Sequence, residues 1–485
     1  MFSGSLCRST RLSRRILIIA GLVLGVGRLA FATEGESASR SVEEDYTIPE
    51  AGASWLASTD TGPNAGFAIR LKNASLTIEG FSELGCLDGS MIVVGSGSTL
   101  NVADCHFEGT TQTDTAAIDT GPMGQSISTS TPESHVTINV ANSRFDGNAR
   151  GILTRSTQGL TRLSITSTHF SNNSAWPIEY RVGAGDHELS VADSSLQWAL
   201  NTPVRLYAFH NVNPALATSY RANFDRVRFT LSGAARAALV MGGVETVSNA
   251  ASDWNLRVTN SVFDLRSAGA FADTSALNAL PETTRRGSAL FEHCTIVIGN
   301  AAHAGILWRG GTANVFTILN SIIDGAGTAI SNTGTGSVTS GINLFNTTTA
   351  VTGSGGATLS GQEIIGQSPL FVDRTAGDFH LQPESPAAGV GQDLGIQMDH
   401  DGFTRPNPVG SLPDLGAFEV AGVSVPPALG DINEDGMVNV ADVTLFAHLI
   451  GIGSAPANEL GDINNDGVVD DQDVEALAWM IVNQP

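Results

Sequence analysis

Two short segments of the chain carry the same comb of oxygen-bearing side chains. In DINEDGMVNVAD these are Asp431, Asn433, Asp435, Asn439 and Asp442; in DINNDGVVDDQD they are Asp462, Asn464, Asp466, Asp470 and Asp473, each 31 residues further on. Met437 and Val468 stand where a backbone carbonyl completes the set, and Gly436 and Gly467 permit the sharp turn between. Twelve-residue loops with ligands at positions 1, 3, 5, 7, 9 and 12 surround a hard cation with oxygen, which makes calcium the expected ion.

Each comb leads into a helical apolar pattern, Val443, Phe446, Leu449 and Ile450, then Val474, Leu477, Ala478 and Ile481. Ile432 and Ile463, with Val438 and Val469, are placed to face a shared core. Residues 421–485 hold eleven acids and no Lys or Arg, so ion binding and folding are expected to be one equilibrium. The paired loops with Asp at position 12, in place of the Glu of an EF-hand, resemble a dockerin, the calcium module that docks onto cohesin domains. That resemblance implies a domain at 429–485, a cohesin-like partner, and VSVPPA within 421–428 as a stiff linker. It departs at positions 10 and 11, which are often Ser and Thr in dockerins. Here they are Val440 and Ala441 in one loop and Asp471 and Gln472 in the other, so the two faces are not equivalent.

At the other end, Arg8, Arg11, Arg14 and Arg15 precede the apolar run Ile16 to Val26, and LAFA closes at Ala32. This reads as a signal peptide over 1–32 and a mature protein outside the cytoplasm, secreted or at the cell surface. No later stretch has the length and apolarity of a membrane span. The formal charge is -23, and removing the five leader arginines leaves 20 basic against 48 acidic residues. Such a balance argues against nucleic acid and anionic membranes as partners. Lys72 is the only lysine. After the leader, Cys86, Cys105 and Cys294 remain, permitting at most one internal disulfide, with Cys86 and Cys105 the pair close in sequence.

The body must position whatever else acts. Beyond a mature N-terminus at 33–49, alternating apolar residues, a polar pair and a bulky anchor recur: LNVADCHF at Phe107, INVANSRF at Phe145, LSITSTHF at Phe170 and LSVADSSL at Leu196. The series runs on through Phe229, Phe263, Ile296, Ile323 and Phe345, in steps of 22 to 38 residues. A basic step in the twenties with inserted loops is solenoid spacing. GILTRS and AGILWRGG supply a second strand per coil. A β-sandwich also has many short strands, but gives no reason for one anchor to recur.

This body resembles secreted right-handed parallel β-helix proteins of bacteria, and SPLFVDRTAGDFHLQPESPAAGVG, DHDGFTRP and PDLGAFE resemble the tail of that group. The fold class is therefore read as all-β, a right-handed parallel β-helix over 50–375 with a solenoid-closing tail at 376–420, followed by the small α-helical calcium module. In the tail, Asp399, Asp401, Arg405 and Asp414 are read as turn and capping residues.

Such solenoids include lyases, esterases, hydrolases and epimerases, so fold alone does not assign chemistry. One candidate patch holds His169, Trp176, Glu179, Tyr180 and Arg181, with Trp198, Arg205, Tyr207 and His210 one coil on. Stacked coils would bring Arg181 and Arg205 to one face, with Trp176, Trp198 and Tyr207 as sugar-stacking rings. A second patch holds Glu292, His293, His303, Trp308 and Arg309. Asp104, Asp193, Asp225 and Asp264 recur near turns, and no carboxylate pair stands out as catalytic. The expected function is a polysaccharide-associated protein attached through its calcium module. The alternatives are an adhesive or structural surface protein, or a calcium-assisted lyase or epimerase.

Overall fold

The computed structural model describes the strands Arg40–Val42 and Tyr46–Ile48, most of 67–420, and most of 429–482. The longer stretches outside the described residues are 1–39, 49–66, 121–133, 209–217, 244–252, 280–285, 421–428 and 433–437. The signal peptide, Cys86, His210 and the first-loop positions Asp431, Asn433, Asp435, Met437 and Asn439 therefore lie outside them. Contacts divide the chain into two units, 1–367 and 368–485.

Three sheets of 12, 12 and 11 strands make up the first unit among the described residues, and their strands pair only in parallel with the coil before and after. A sandwich would pair its strands antiparallel, so this is a parallel β-helix. The recurring anchors form one column of the third sheet. Phe107, Phe145, Phe170, Leu196, Phe229, Phe263, Ile296, Ile323 and Phe345 are each in register with the next. Phe107 and Phe145 stack with centroids 4.7 Å apart, and Phe145 and Phe170 at 4.8 Å. That is the strand spacing itself, so each ring covers its neighbour as the backbones hydrogen-bond. Every anchor is buried, and each is worth about 1.5–3 kcal/mol of apolar burial.

Among the described residues every coil but the first has three strands, one more than the repeats suggest, because the polar pair bends the chain. Asp104, Asn142, Ser167, Asp193, Arg226, Asn260, His293 and Asn320 all adopt φ between 44° and 54°. Among residues with a side chain, this left-handed conformation suits Asn and Asp best. The next residue of several corners is a hydroxyl with two duties. Ser143 Oγ donates to the Ala141 carbonyl at 2.7 Å and accepts the Cys105 N–H of the preceding coil at 3.1 Å. Thr168, Ser194, Ser261 and Ser321 repeat the arrangement. A buried corner amide is thus satisfied without a strand partner.

In the second unit, an antiparallel pair, Phe371–Asp373 with Asp378–Leu381, opens the tail. Helices Val440–Gly451 and Asp471–Val482 follow, with the short turn of helix Asn458–Gly461 between them. Ile432, Phe446 and Leu477 form a small buried core, packed by Val438, Ile463 and Val469 as the loop pattern predicts.

Candidate functional site

The second acidic loop is described throughout and shows how its sequence sets its shape. Asp462 accepts the N–H of Asp466 and of Gly467, each at 3.0 Å, and Asp466 accepts that of Val468 at 2.9 Å. Asn465 and Gly467 take φ of 58° and 87°. Asp470 caps the following helix by accepting the Gln472 N–H at 2.8 Å, and Asp473 reaches back to the Asp470 N–H at 3.0 Å. This is a capping box with Asp in both roles, so the last two combed residues start the helix as well as closing the loop.

Asp473 and its counterpart Asp442 have no exposed surface. Asp442 accepts the Ile432 N–H at 2.9 Å, and Asp473 also accepts that of Asn464 at 3.0 Å. Among the described residues no three His, Cys, Asp or Glu side chains converge as a metal cluster. The donor set is nevertheless entirely oxygen. With no Lys or Arg in 421–485, the fixed charge of the loops is strongly negative, which suits a hard cation.

The solenoid carries a different cluster on the outside of its first sheet. Glu179 is fully buried and accepts Arg150 Nε at 2.7 Å on one oxygen. Its other oxygen accepts Arg181 Nε at 2.8 Å and an Arg205 terminal nitrogen at 3.3 Å. The guanidinium carbons of Arg150 and Arg205 lie 4.8 and 4.3 Å from the centre of the Trp176 ring. Three successive strands, Arg150–Thr154, Trp176–Val182 and Val204–Ala208, supply these groups. Thr154 fixes Arg181 further, its hydroxyl donating to the Arg181 carbonyl at 2.9 Å and accepting its N–H at 2.8 Å.

Arg181 and Arg205 therefore meet on one face as the coil spacing suggests, but several of their expected companions do not join them. Trp198 is buried in the core and so cannot stack on a sugar, and Trp176 serves arginines. Tyr180 is buried, its hydroxyl donating to the Thr161 carbonyl at 3.0 Å. His169 belongs to the third sheet, where it meets Ser195 Oγ at 2.6 Å and burial lowers its pKa. The side chain of Tyr207 lies outside the described residues. Arg150 was not apparent from sequence; its only signal was its place one coil before Trp176, with which it pairs.

Four members of the second patch make structural contacts or are buried. Glu292 accepts Arg257 Nε at 2.8 Å, His293 is a corner residue within 3.0 Å of the Asn320 amide, and His303 and Trp308 are buried. Asp104 and Asp193 are corner residues, Asp225 accepts the Thr259 hydroxyl at 2.7 Å, and Asp264 pairs with Arg266 at 2.7 Å. On the outer face of the second sheet, Thr77, Asn101, Asn139, Ser164 and Thr166 line a shallow groove of about 210 Å³.

In the tail, Arg405 donates to Glu419 at 2.6 Å and to the carbonyls of Asp414 and Gly416 at 3.0 and 3.1 Å. Asp399 accepts the N–H groups of Asp401, Phe403 and Glu419, and Asp414 those of Gly389 and Val420. These groups hold turns together, in keeping with their reading as turn and capping residues. Burial pushes the Glu419 carboxyl up to about 7 against the pull of Arg405.

No curated protein matches the chain. The family model of the dockerin type I domain matches residues 429–481, the segment that holds both loops and both long helices. Dockerin type I domains bind calcium and attach to cohesins, and proteins carrying them are typically extracellular or displayed at the cell surface. Among the described residues no helix is long and apolar enough to cross a membrane. Residues 429–481 are a dockerin type I domain, carried on the same chain as a parallel β-helix.

Proposed function

We propose that this is a secreted protein whose β-helix contacts extracellular or cell-wall polysaccharide while the dockerin domain, folded around two calcium ions, holds it on a cohesin-bearing scaffold. The observation that carries the reading is the union on one chain of a docking domain with a long solenoid. Polar side chains stand on the outer faces of two sheets, Asn101 and Asn139 on the second and Arg181 and Arg205 on the first, and are of a kind that hydrogen-bonds hydroxyl-rich ligands. In the first loop Asp431, Asn433, Asp435, Met437, Asn439 and Asp442 would hold one ion. In the second, Asp462, Asn464, Asp466, Val468, Asp470 and Asp473 would hold the other.

The cohesin contact falls on the second helix. Trp479 and Val482 are 70% and 81% exposed, and with Gln472 and Glu475 they share one exposed helical stripe. An exposed Trp beside apolar surface is the usual centre of a protein interface. The test is retention of the full chain on an immobilised cohesin panel and on insoluble polysaccharides, with and without a calcium chelator. Chelator-sensitive cohesin binding that weakens at least tenfold in Trp479→Ala supports the docking half, and retention on a polysaccharide supports the other. Calcium-independent attachment, or retention on no polysaccharide, would overturn the corresponding half. A second reading, an adhesive surface protein without a glycan site, is favoured by the burial of Trp198 and Trp308, two aromatic rings that could otherwise have stacked on sugar.

A further inference from the structure

We infer that a neutral polysaccharide lies along the outer face of the second sheet, in the groove lined by Asn101, Asn139 and Ser164. This rests on the reading that the solenoid binds glycan, and it names the site and the class of sugar.

The groove exists because of where small residues fall. Asn101 and Asn139 are in register, and so are Ala103 and Ala141, each two residues further along its strand and therefore on the same face. Thr77 extends the asparagine row on one side and Ser164 on the other, while Thr166 stands in register with Ala141. Beside the row of amides and hydroxyls the alanines leave a recess of about 210 Å³. The row offers one polar side chain per coil at the strand spacing of about 4.8 Å, so four coils present a line about 14 Å long, parallel to the solenoid axis. That spacing is close to the length of one sugar unit in an extended chain, so successive units meet successive rungs.

The chemistry of the row selects the ligand. Asn139 donates to Asn101 at 2.8 Å, and Asn101 donates to Thr77 at 3.4 Å. These bonds orient both amides and leave each with a further N–H and a further lone pair. The hydroxyls of Ser164 and Thr166 have no protein partner among the described residues. A donor and an acceptor side by side on one oriented amide match two neighbouring sugar hydroxyls. None of the lining residues is charged, in a chain of net charge -23. Of the flanking groups, Arg162 pairs with Glu188 on the next coil at 3.9 Å, and the corner beyond Ala103 is the acid Asp104. The lining thus offers an anionic polymer no counter-charge, whereas a neutral one needs none.

The test measures binding of the full chain to a neutral β-glucan, a mannan and an unsubstituted xylan, with polygalacturonate as the acidic probe. We expect at least one neutral polymer to be held in preference to polygalacturonate. Ala141→Gln, which fills the recess without adding charge, should weaken that binding about tenfold or more, and Asn139→Ala, which removes one amide, about two- to tenfold. Ser337→Gln, at an exposed position of the same sheet several coils away, should leave it unchanged. The thermal transition of each variant reports whether the solenoid is folded, and if Ala141→Gln does not fold, Asn139→Ala decides. If the folded groove variants bind as the wild type does, or if polygalacturonate alone is held, the inference fails and the glycan reading stands. Retention on none of the four probes or any other polysaccharide would overturn both.

Discussion

Ser143, Thr168, Ser194, Ser261 and Ser321 are small residues with a large share in the shape of the solenoid. Each hydroxyl ties its own turn and receives an amide from the neighbouring coil. Ser261→Ala would leave the buried Val227 N–H without its acceptor at 3.1 Å, and a loss of about 1–3 kcal/mol is expected in chemical unfolding. The converse change is also informative. Val227 occupies the hydroxyl position of its own corner and is fully buried. Val227→Thr would give the Ser194 N–H an acceptor and should stabilise by about 0.5–1.5 kcal/mol, measured in the same way. These corners were legible as recurring polar pairs because the period-two alternation on either side frames them. The Glu179 hub was legible only in part. Arg181 and Arg205 stood out by composition, but Arg150 joins them across a separation of 29 residues, set by loop lengths that no local pattern encodes.

At the scale of elements, the two helices of the dockerin domain depend on the loops that start them. Calorimetric titration of calcium into the full chain should report about two ions, and Asp431→Ala with Asp462→Ala should abolish both. An undiminished heat in the double variant would place calcium elsewhere. The loops and helices were readable in advance because ligand order and apolar spacing are both local. The capping box of Asp470 and Asp473 is a further and equally local use of the same residues.

The tail makes a separate prediction about pH. Burial tends to lower the pKa of His380, but its hydrogen bonds to Asp378 and Asp401, at 2.6 and 2.8 Å, raise it overall. Burial raises Asp414, and it raises Glu419 from 4.5 to about 7. Groups raised in the folded state contribute stability that is fully present below their unfolded values and is lost as pH rises through the folded ones. For Glu419 that window runs from 4.5 to about 7. Amides that donate to Glu419, those of Asn407 and Asp414, should therefore show greater hydrogen-exchange protection at pH 5 than at pH 8. Equal protection would mean that Glu419 is ionised throughout.

At the scale of the molecule, a net charge of -23 and a single lysine set the conditions under which any acidic ligand is met. Long-range repulsion between protein and polyanion is screened by salt, while contacts in a partly buried site are screened far less. Any retention on an acidic polysaccharide should therefore rise between about 0.01 and 0.15 M salt, whereas retention on a neutral one should not change. The overall architecture could be read from the anchors alone, since each coil repeats the same burial. The third strand per coil could not, because the left-handed bend that creates it is a backbone state with no single residue type.

The same repetition makes the solenoid divisible. Ser167 with Thr168 and Asp193 with Ser194 are equivalent corners, so excising 168–193 would join Ser167 to Ser194 with every remaining side chain still on its own face. The product should fold as a shaft shorter by one rung, about 4.8 Å, with Phe145 seated on Leu196. It would lose Trp176, Glu179 and Arg181 together and bring Leu153 into register with Arg205. A protein built this way can gain or discard a surface cluster by adding or removing one whole storey, without redesigning its neighbours.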